Sequence, residues 1–158
     1  MNKNKPIALF YAISPVHIRN LEILSKKFKN LNFRIVYEPE LEWFSKDIIK
    51  KYKFECIPFI DSKTSNLFWS GNVRIVIMST AQIRKPPLNL IQESMMRKIP
   101  TVCIEETHQM LLQKHRINNY ILPVNYLLVA SKFEKNAFIK YGYKKSKVYT
   151  VGWPFIKE

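Results

Sequence analysis

Apolar and polar positions fall into alternating blocks along this chain. Short, continuously apolar runs are separated by longer segments in which apolar residues recur every third or fourth position. Ile7 to Ile13 is the first run, of the kind buried on both faces of a parallel sheet. Ser14 and Pro15 follow as N-cap and first helical residue, and the spacing of Ile18, Leu21, Leu24 and Phe28 predicts a helix to about Lys29 with these four inward. Phe33 to Tyr37 reads as the second strand. Glu40 to Lys53 reads as the second helix, with Leu41, Phe44, Ile48, Ile49 and Tyr52 inward. Glu55 to Ile60 is a third strand, placed at or near an edge by Pro58, which cannot donate to a ladder. Asp61 to Gly71 reads as irregular, although it carries the aromatic pair Phe68 and Trp69.

Val73 to Met78 is the most β-branched run and is expected at the centre of the sheet. Pro86-Pro87 opens a helix to Lys98, and Thr101 to Ile104 forms the next strand, running into Glu105-Glu106-Thr107-His108. A short helical piece is expected from about Gln109 to His115. The closing unit has every boundary marked. Asn125 to Ala130 is a strand, Ser131 caps a helix with Glu134 placed to complete a capping box, and Phe133, Ala137, Phe138 and Tyr141 share one helical face. Gly142 ends that helix in a left-handed turn, Lys147 opens the last strand, and Gly152-Trp-Pro breaks it. Strands alternating with helices in this way imply an α/β domain, an open parallel sheet of about seven strands with helices on both faces. The 158 residues show no repeat and no second domain boundary.

Composition narrows the class. A hydrophobic fraction of 47% with 13% aromatics excludes a disordered chain. The two cysteines, Cys56 and Cys103, each lie in an apolar run and read as buried free thiols of a reducing cytosol. No apolar run approaches the ~20 residues of a membrane span, and the opening segment leads into Pro-Val-His-Ile-Arg rather than a signal-peptidase site. The net charge of +14, from 26 basic and 12 acidic residues, favours an anionic partner. Part of it has a structural reading, because Lys26, Lys27 and Lys29, and then Lys50, Lys51 and Lys53, fall at helix ends where cations complement the dipole.

Ligands of open parallel sheets bind beyond the carboxyl ends of the strands. That rule selects Ser14 to Arg19, Thr80 to Lys85, Glu105 to His108, and Ser131 with Lys132. The three glycines, Gly71, Gly142 and Gly152, form neither a dinucleotide fingerprint nor a phosphate-binding P-loop. No cofactor is therefore expected. No metal is expected either, since no carboxylate-histidine group has a third ligand. His17, in the first turn of the first helix, can act as a general base when neutral, or simply pack against the loop. Glu105 can bind or deprotonate a hydroxyl, or stand solvated after its strand. Ser14, Arg84, Lys85, Glu106, His108, Arg116 and Ser131 are the candidates for holding substrate, the cations among them for phosphates.

The closing stretch resembles the end of the N-terminal, Rossmann-like domain of GT-B glycosyltransferases. The likeness rests on Ser131, Gly142, Lys147, Gly152 and Pro154. Ile99, Pro100 and Glu105 are similar to the I-P-x-x-x-H-E-Q-N segment of the transferase that adds N-acetylglucosamine to the peptidoglycan lipid intermediate, while Ile104, Glu106 and Thr107 depart from it. Such enzymes often carry a histidine in a glycine-rich first loop, and here that part of the resemblance rests on His17 alone. The resemblance implies that residues 1–154 form an acceptor-binding domain, with 155–158 beginning an interdomain linker and the donor-binding domain absent. It implies sugar transfer from a nucleotide-sugar to a phosphate-bearing or lipid-linked acceptor, without a bound metal and inactive without a donor-binding domain or partner subunit. The expected location is cytoplasmic, peripheral to the anionic inner face of a membrane. Three alternatives share these features: half of a polyol-phosphate transferase of the CDP-glycerol type, half of a nucleotide-sugar epimerase, and a non-catalytic basic module binding protein or nucleic acid. Nucleic acid is disfavoured because the basic residues are not interleaved with aromatics along one element.

Overall fold

A computed structural model describes residues 5–12, 15–40, 54–60, 65–79, 85–105 and 121–152. The strands are β1 (Ile7–Ala12), β2 (Asn32–Tyr37), β3 (Glu55–Pro58), β4 (Val73–Ser79), β5 (Thr101–Ile104), β6 (Tyr126–Val129) and β7 (Val148–Thr150). The helices among the described residues are α1 (Pro15–Lys27), α2 (Asn66–Trp69), α3 (Lys85–Met96) and α4 (Lys132–Lys140). All seven strands form one sheet in the order β3-β2-β1-β4-β5-β6-β7, and every adjacent pair is parallel. This is a Rossmann-like α/β architecture. Pro58 lies on the edge strand and Val73–Ser79 at the centre, as the composition of each run requires.

Strand alternation divides the core in two. Leu9, Tyr11, Val76, Met78, Cys103, Leu127 and Val129 pack with Leu90 and Ile91 of α3 and Phe138 of α4. Ala8, Phe10, Ala12, Phe33 and Ile35 pack with Ile18 and Leu21 of α1 on the other face. All six residues of β1 are buried, because both layers close over it. Full burial of each large apolar side chain contributes about 1.5–3 kcal/mol.

Several expectations change in detail. The segment from 65 to 70 is regular: Ser65 caps one helical turn by accepting from the Leu67 amide, and Phe68 and Trp69 are buried by it. Phe28 is 48% exposed, because α1 ends at Lys27 and Phe28 belongs to the turn into β2. Phe133 is 70% exposed. Glu134 accepts from the amides of Ala130 and Ser131, at 2.8 and 3.0 Å, and this turns the 134/138 line of α4 toward the sheet. Cys56 is only half-buried, whereas Cys103 is fully buried, and both are free thiols. The second helix expected over 40–53 and the helical piece over 109–115 lie outside the described residues.

Candidate functional site

The chain builds β1, β2 and β3 outward in one direction, then returns to lay β4 against the other side of β1. The boundary between β1 and β4 is therefore the point where strand order reverses, and the crevice beyond their carboxyl ends is the expected ligand position. Phe10 is level with Ile77, and Ser79 with Ile104, so β1, β4 and β5 end on a common rim.

Glu105 is the first residue past β5, tied to β6 by its amide, which donates to the Leu128 carbonyl at 2.9 Å. It is 1% exposed, so the solvated alternative does not hold. His17 lies in the first turn of α1 and is 3% exposed. The two share the rim but belong to different layers. His17 rides on α1, whereas Glu105 continues the alternation of Cys103, whose side chain is in the layer of α3 and α4. Below the rim, a groove of about 340 Å³ runs along α1, lined by Phe10, Asn20, Ile23, Leu24, Ile104 and Val151 among others. Neither His17 nor Glu105 lines this groove: Asn20 is one helical turn from His17, and Ile104 immediately precedes Glu105, which faces the other layer.

Ser131 has a defined structural task. Its side-chain oxygen accepts from the Glu134 amide at 3.1 Å while the Glu134 carboxylate binds the Ser131 amide, which completes the capping box. The buried Glu134 carboxylate thus occupies the positive end of α4, where an anionic ligand would otherwise be favoured. Lys85 is the first residue of α3. Ser14, Arg84, Glu106, His108 and Arg116 lie outside the described residues.

The rim also holds groups that pattern reading passes over. The Tyr11 hydroxyl, at the end of β1, donates to the carboxylate of Glu38, the first residue past β2; Glu38 is 7% exposed. Glu38 obeys the same strand-end rule that picks out Glu105, and that was the available signal. Tyr11 offered none, since a tyrosine within an apolar strand reads as core. Ser79, closing β4 beside the reversal point, is buried as well. The rim therefore carries histidine, serine, tyrosine and two carboxylates, a set suited to binding hydroxyls and moving protons. Among the described residues no group of three or more His, Cys, Asp or Glu could hold a metal ion. No helix among them is long and apolar enough to cross a membrane. No family model and no curated protein matches this sequence.

Proposed function

We propose that this domain is the acceptor-binding half of a GT-B type glycosyltransferase. The observation that supports the reading is that buried His17 and Glu105 both lie at the carboxyl rim, one on each layer of the sheet, next to the strand-order reversal and above an apolar groove along α1. The closing β6-α4-β7 unit with its capping box, a left-handed Gly142 at φ 107° and a left-handed Gly152 at φ 78° supports the same reading. In this reading the apolar groove receives the less polar part of a lipid-linked or phosphate-bearing acceptor. His17 takes the proton from the attacking hydroxyl as its oxygen bonds to the anomeric carbon, and the bond from that carbon to the nucleoside diphosphate breaks. Glu105 holds an acceptor hydroxyl by accepting its hydrogen bond. The diphosphate is bound and stabilised by a donor-binding domain or subunit across the cleft. The protein works in the cytoplasm, peripheral to the inner face of the membrane.

The test pairs this chain with the donor-binding partner that the reading requires and follows sugar transfer. His17→Ala and Glu105→Gln should each lower turnover, His17→Ala by ~10²–10⁴-fold, the usual contribution of a general base. Circular dichroism should remain unchanged in both. Wild-type rates in both variants would withdraw the site. A non-catalytic anion-binding module is the reading favoured by the charge of +14. It would be indifferent to both substitutions and sensitive to loss of the lysines on the opposite rim.

A further inference from the structure

We propose that a cavity on the amino rim of the sheet, opposite His17 and Glu105, binds a phosphate monoester. It measures about 450 Å³, lies between the amino ends of β4 and β5, and is lined by Trp69, Gly71, Arg74, Arg97, Lys98 and Pro100 among others. The inference does not depend on the glycosyltransferase reading, which concerns the other rim.

Two local irregularities and a ring contact deliver the cations. Ile7 pairs with Val73 but Ala8 pairs with Ile75, so Arg74 is the extra residue of a β-bulge, a device that re-aims a side chain. Lys98 has φ 57°, the left-handed conformation that glycine normally supplies after a helix. It closes α3 in a Schellman motif, with its amide donating to the Met95 carbonyl at 3.1 Å and the Ile99 amide to the Ser94 carbonyl at 2.9 Å. A lysine in this position puts an ammonium group where backbone stability alone would favour glycine. Arg97 lies 5.0 Å from the Trp69 ring centroid and is paired to Glu93 at 2.7 Å. Trp69 is itself anchored, because the Arg34 guanidinium donates to the carbonyls of Leu67, Phe68 and Ser70. Trp69 lines the cavity, and its buried indole N–H has no acceptor in the structure.

Charge selects the ligand. Glu93 offsets Arg97, whereas Arg74 and Lys98 have no ion-pair partner among the described residues. The cavity thus presents two uncompensated positive charges, which match the −1.5 to −2, roughly, of a phosphate monoester near neutral pH. A phosphodiester carries only one negative charge. The arginine fork also fits phosphate oxygens two at a time. The volume exceeds that of a bare phosphate and falls within the ~300–1,000 Å³ of small-molecule sites, so the esterified group fits too. The ester could be a soluble polyol or sugar phosphate or a lipid headgroup. For a lipid, Met95, Met96 and Leu67, which are 55%, 73% and 62% exposed, are neighbours that would meet the acyl layer.

The experiment uses the 158-residue chain in two arms at fixed ionic strength. One arm titrates glycerol 3-phosphate against dimethyl phosphate by calorimetry and by the indole ¹⁵N–¹H resonance of Trp69, assigned with Trp69→Phe. The other measures binding to phosphatidylcholine vesicles doped with phosphatidic acid or, at matched surface charge, phosphatidylglycerol. Saturable binding of the monoester over the diester is expected in at least one arm, and which arm identifies the source. The indole resonance should shift, and Arg74→Ala should weaken binding at least tenfold. Lys98→Gly should weaken binding similarly while raising the melting temperature, so that unfolding cannot account for the loss. Absence of saturable monoester binding in both arms, equal binding of the diester, or binding that survives both substitutions would overturn the site.

Discussion

Arg34 organises its surroundings from inside an apolar strand. It is 4% exposed, pairs with Glu55 at 2.8 Å, and holds three carbonyls at the end of α2. Removing it would take this donor from the Phe68 and Ser70 carbonyls, while Leu67 keeps the Ser70 hydroxyl, so Arg34→Met should cost about 3 kcal/mol in urea unfolding; a loss under about 1 kcal/mol, the scale of an exposed ion pair, would contradict this role. The Phe33-to-Tyr37 pattern announces a strand but not the burial of its arginine, because the partners lie far along the chain, in a segment with no periodicity of its own. Of the two cysteines expected to be buried, Cys103 is and Cys56 is only half-buried. Burial first, and the neighbouring Glu55 second, push the Cys56 thiol from its ordinary 9.0 up to about 11. Below pH 9 the thiol is protonated in both folded and unfolded chains. Between pH 9 and 11 only the unfolded chain gives up the proton, so stability falls as pH rises across that window. At pH 8 iodoacetamide should label Cys56 and the fully buried Cys103 far more slowly than in the urea-unfolded chain, as mass spectrometry would record. Rapid labelling of native Cys56 would exclude its protonated, half-buried state.

Elements with a strong local signal at both ends were read correctly, and α4 shows why. Its start depends on Ser131 and Glu134, and its end on Gly142, all within contact range along the chain. Local hydrogen bonding and backbone conformation therefore decide its limits. The inward face is another matter. Periodicity places Phe133 with Ala137, Phe138 and Tyr141, and the last three do pack on the core, yet Glu134 is buried in place of Phe133, because the carboxylate that caps the helix also sets its rotation. Glu134→Ala removes the acceptor for two part-buried amides and should lower stability by about 1–2 kcal/mol. Gly142→Ala should destabilise further, since φ is 107° and the added Cβ would lie 2.8 Å from Cδ1 of Ile121. Thermal melts of both variants test this, and an unchanged melting temperature in Gly142→Ala would mean that the turn can relax at no cost. α2 escaped detection for the opposite reason: four residues are too few to show a period, and Ser65 as a cap is visible only once the turn is known.

The molecule as a whole is polarised along its strands. Helices run antiparallel to the strands they connect, so their basic last turns, with Lys26, Lys27 and Lys140, gather on the amino rim. Lys5, Arg74, Lys98, Lys144, Lys145 and Lys147 join them from the residues around strand starts. The carboxyl rim holds Glu38, Glu105 and Glu134, along with Lys85 and Lys132 at the starts of α3 and α4. The strand-end rule made His17 and Glu105 visible from sequence, because it needs only the order of elements. The Tyr11–Glu38 pair and the amino-rim cavity were invisible, as each depends on register, a bulge or a left-handed lysine. Polarisation carries a prediction about salt. Self-repulsion among the cations of one rim opposes folding, because the unfolded chain spreads the same charges apart. Among the described residues the ion pairs that salt could weaken are few: Arg34–Glu55, whose arginine is sheltered, and Arg97–Glu93 on one helix face, an exposed type worth only a few tenths of a kcal/mol. Screening should therefore remove more repulsion than attraction. The Debye length falls from about 30 Å at 0.01 M to about 8 Å at 0.15 M ionic strength, short enough to separate charges across the rim. The melting temperature should rise by several degrees when sodium chloride is raised over that range, with most of the gain complete by 0.15 M. Lys145→Glu, which removes repulsion on the same rim, should reproduce part of the gain at low salt and show a smaller response to added salt. A melting temperature that falls with salt would mean that attractive pairs dominate, and that the cations of the amino rim are balanced within the fold instead of being held out for an anionic partner.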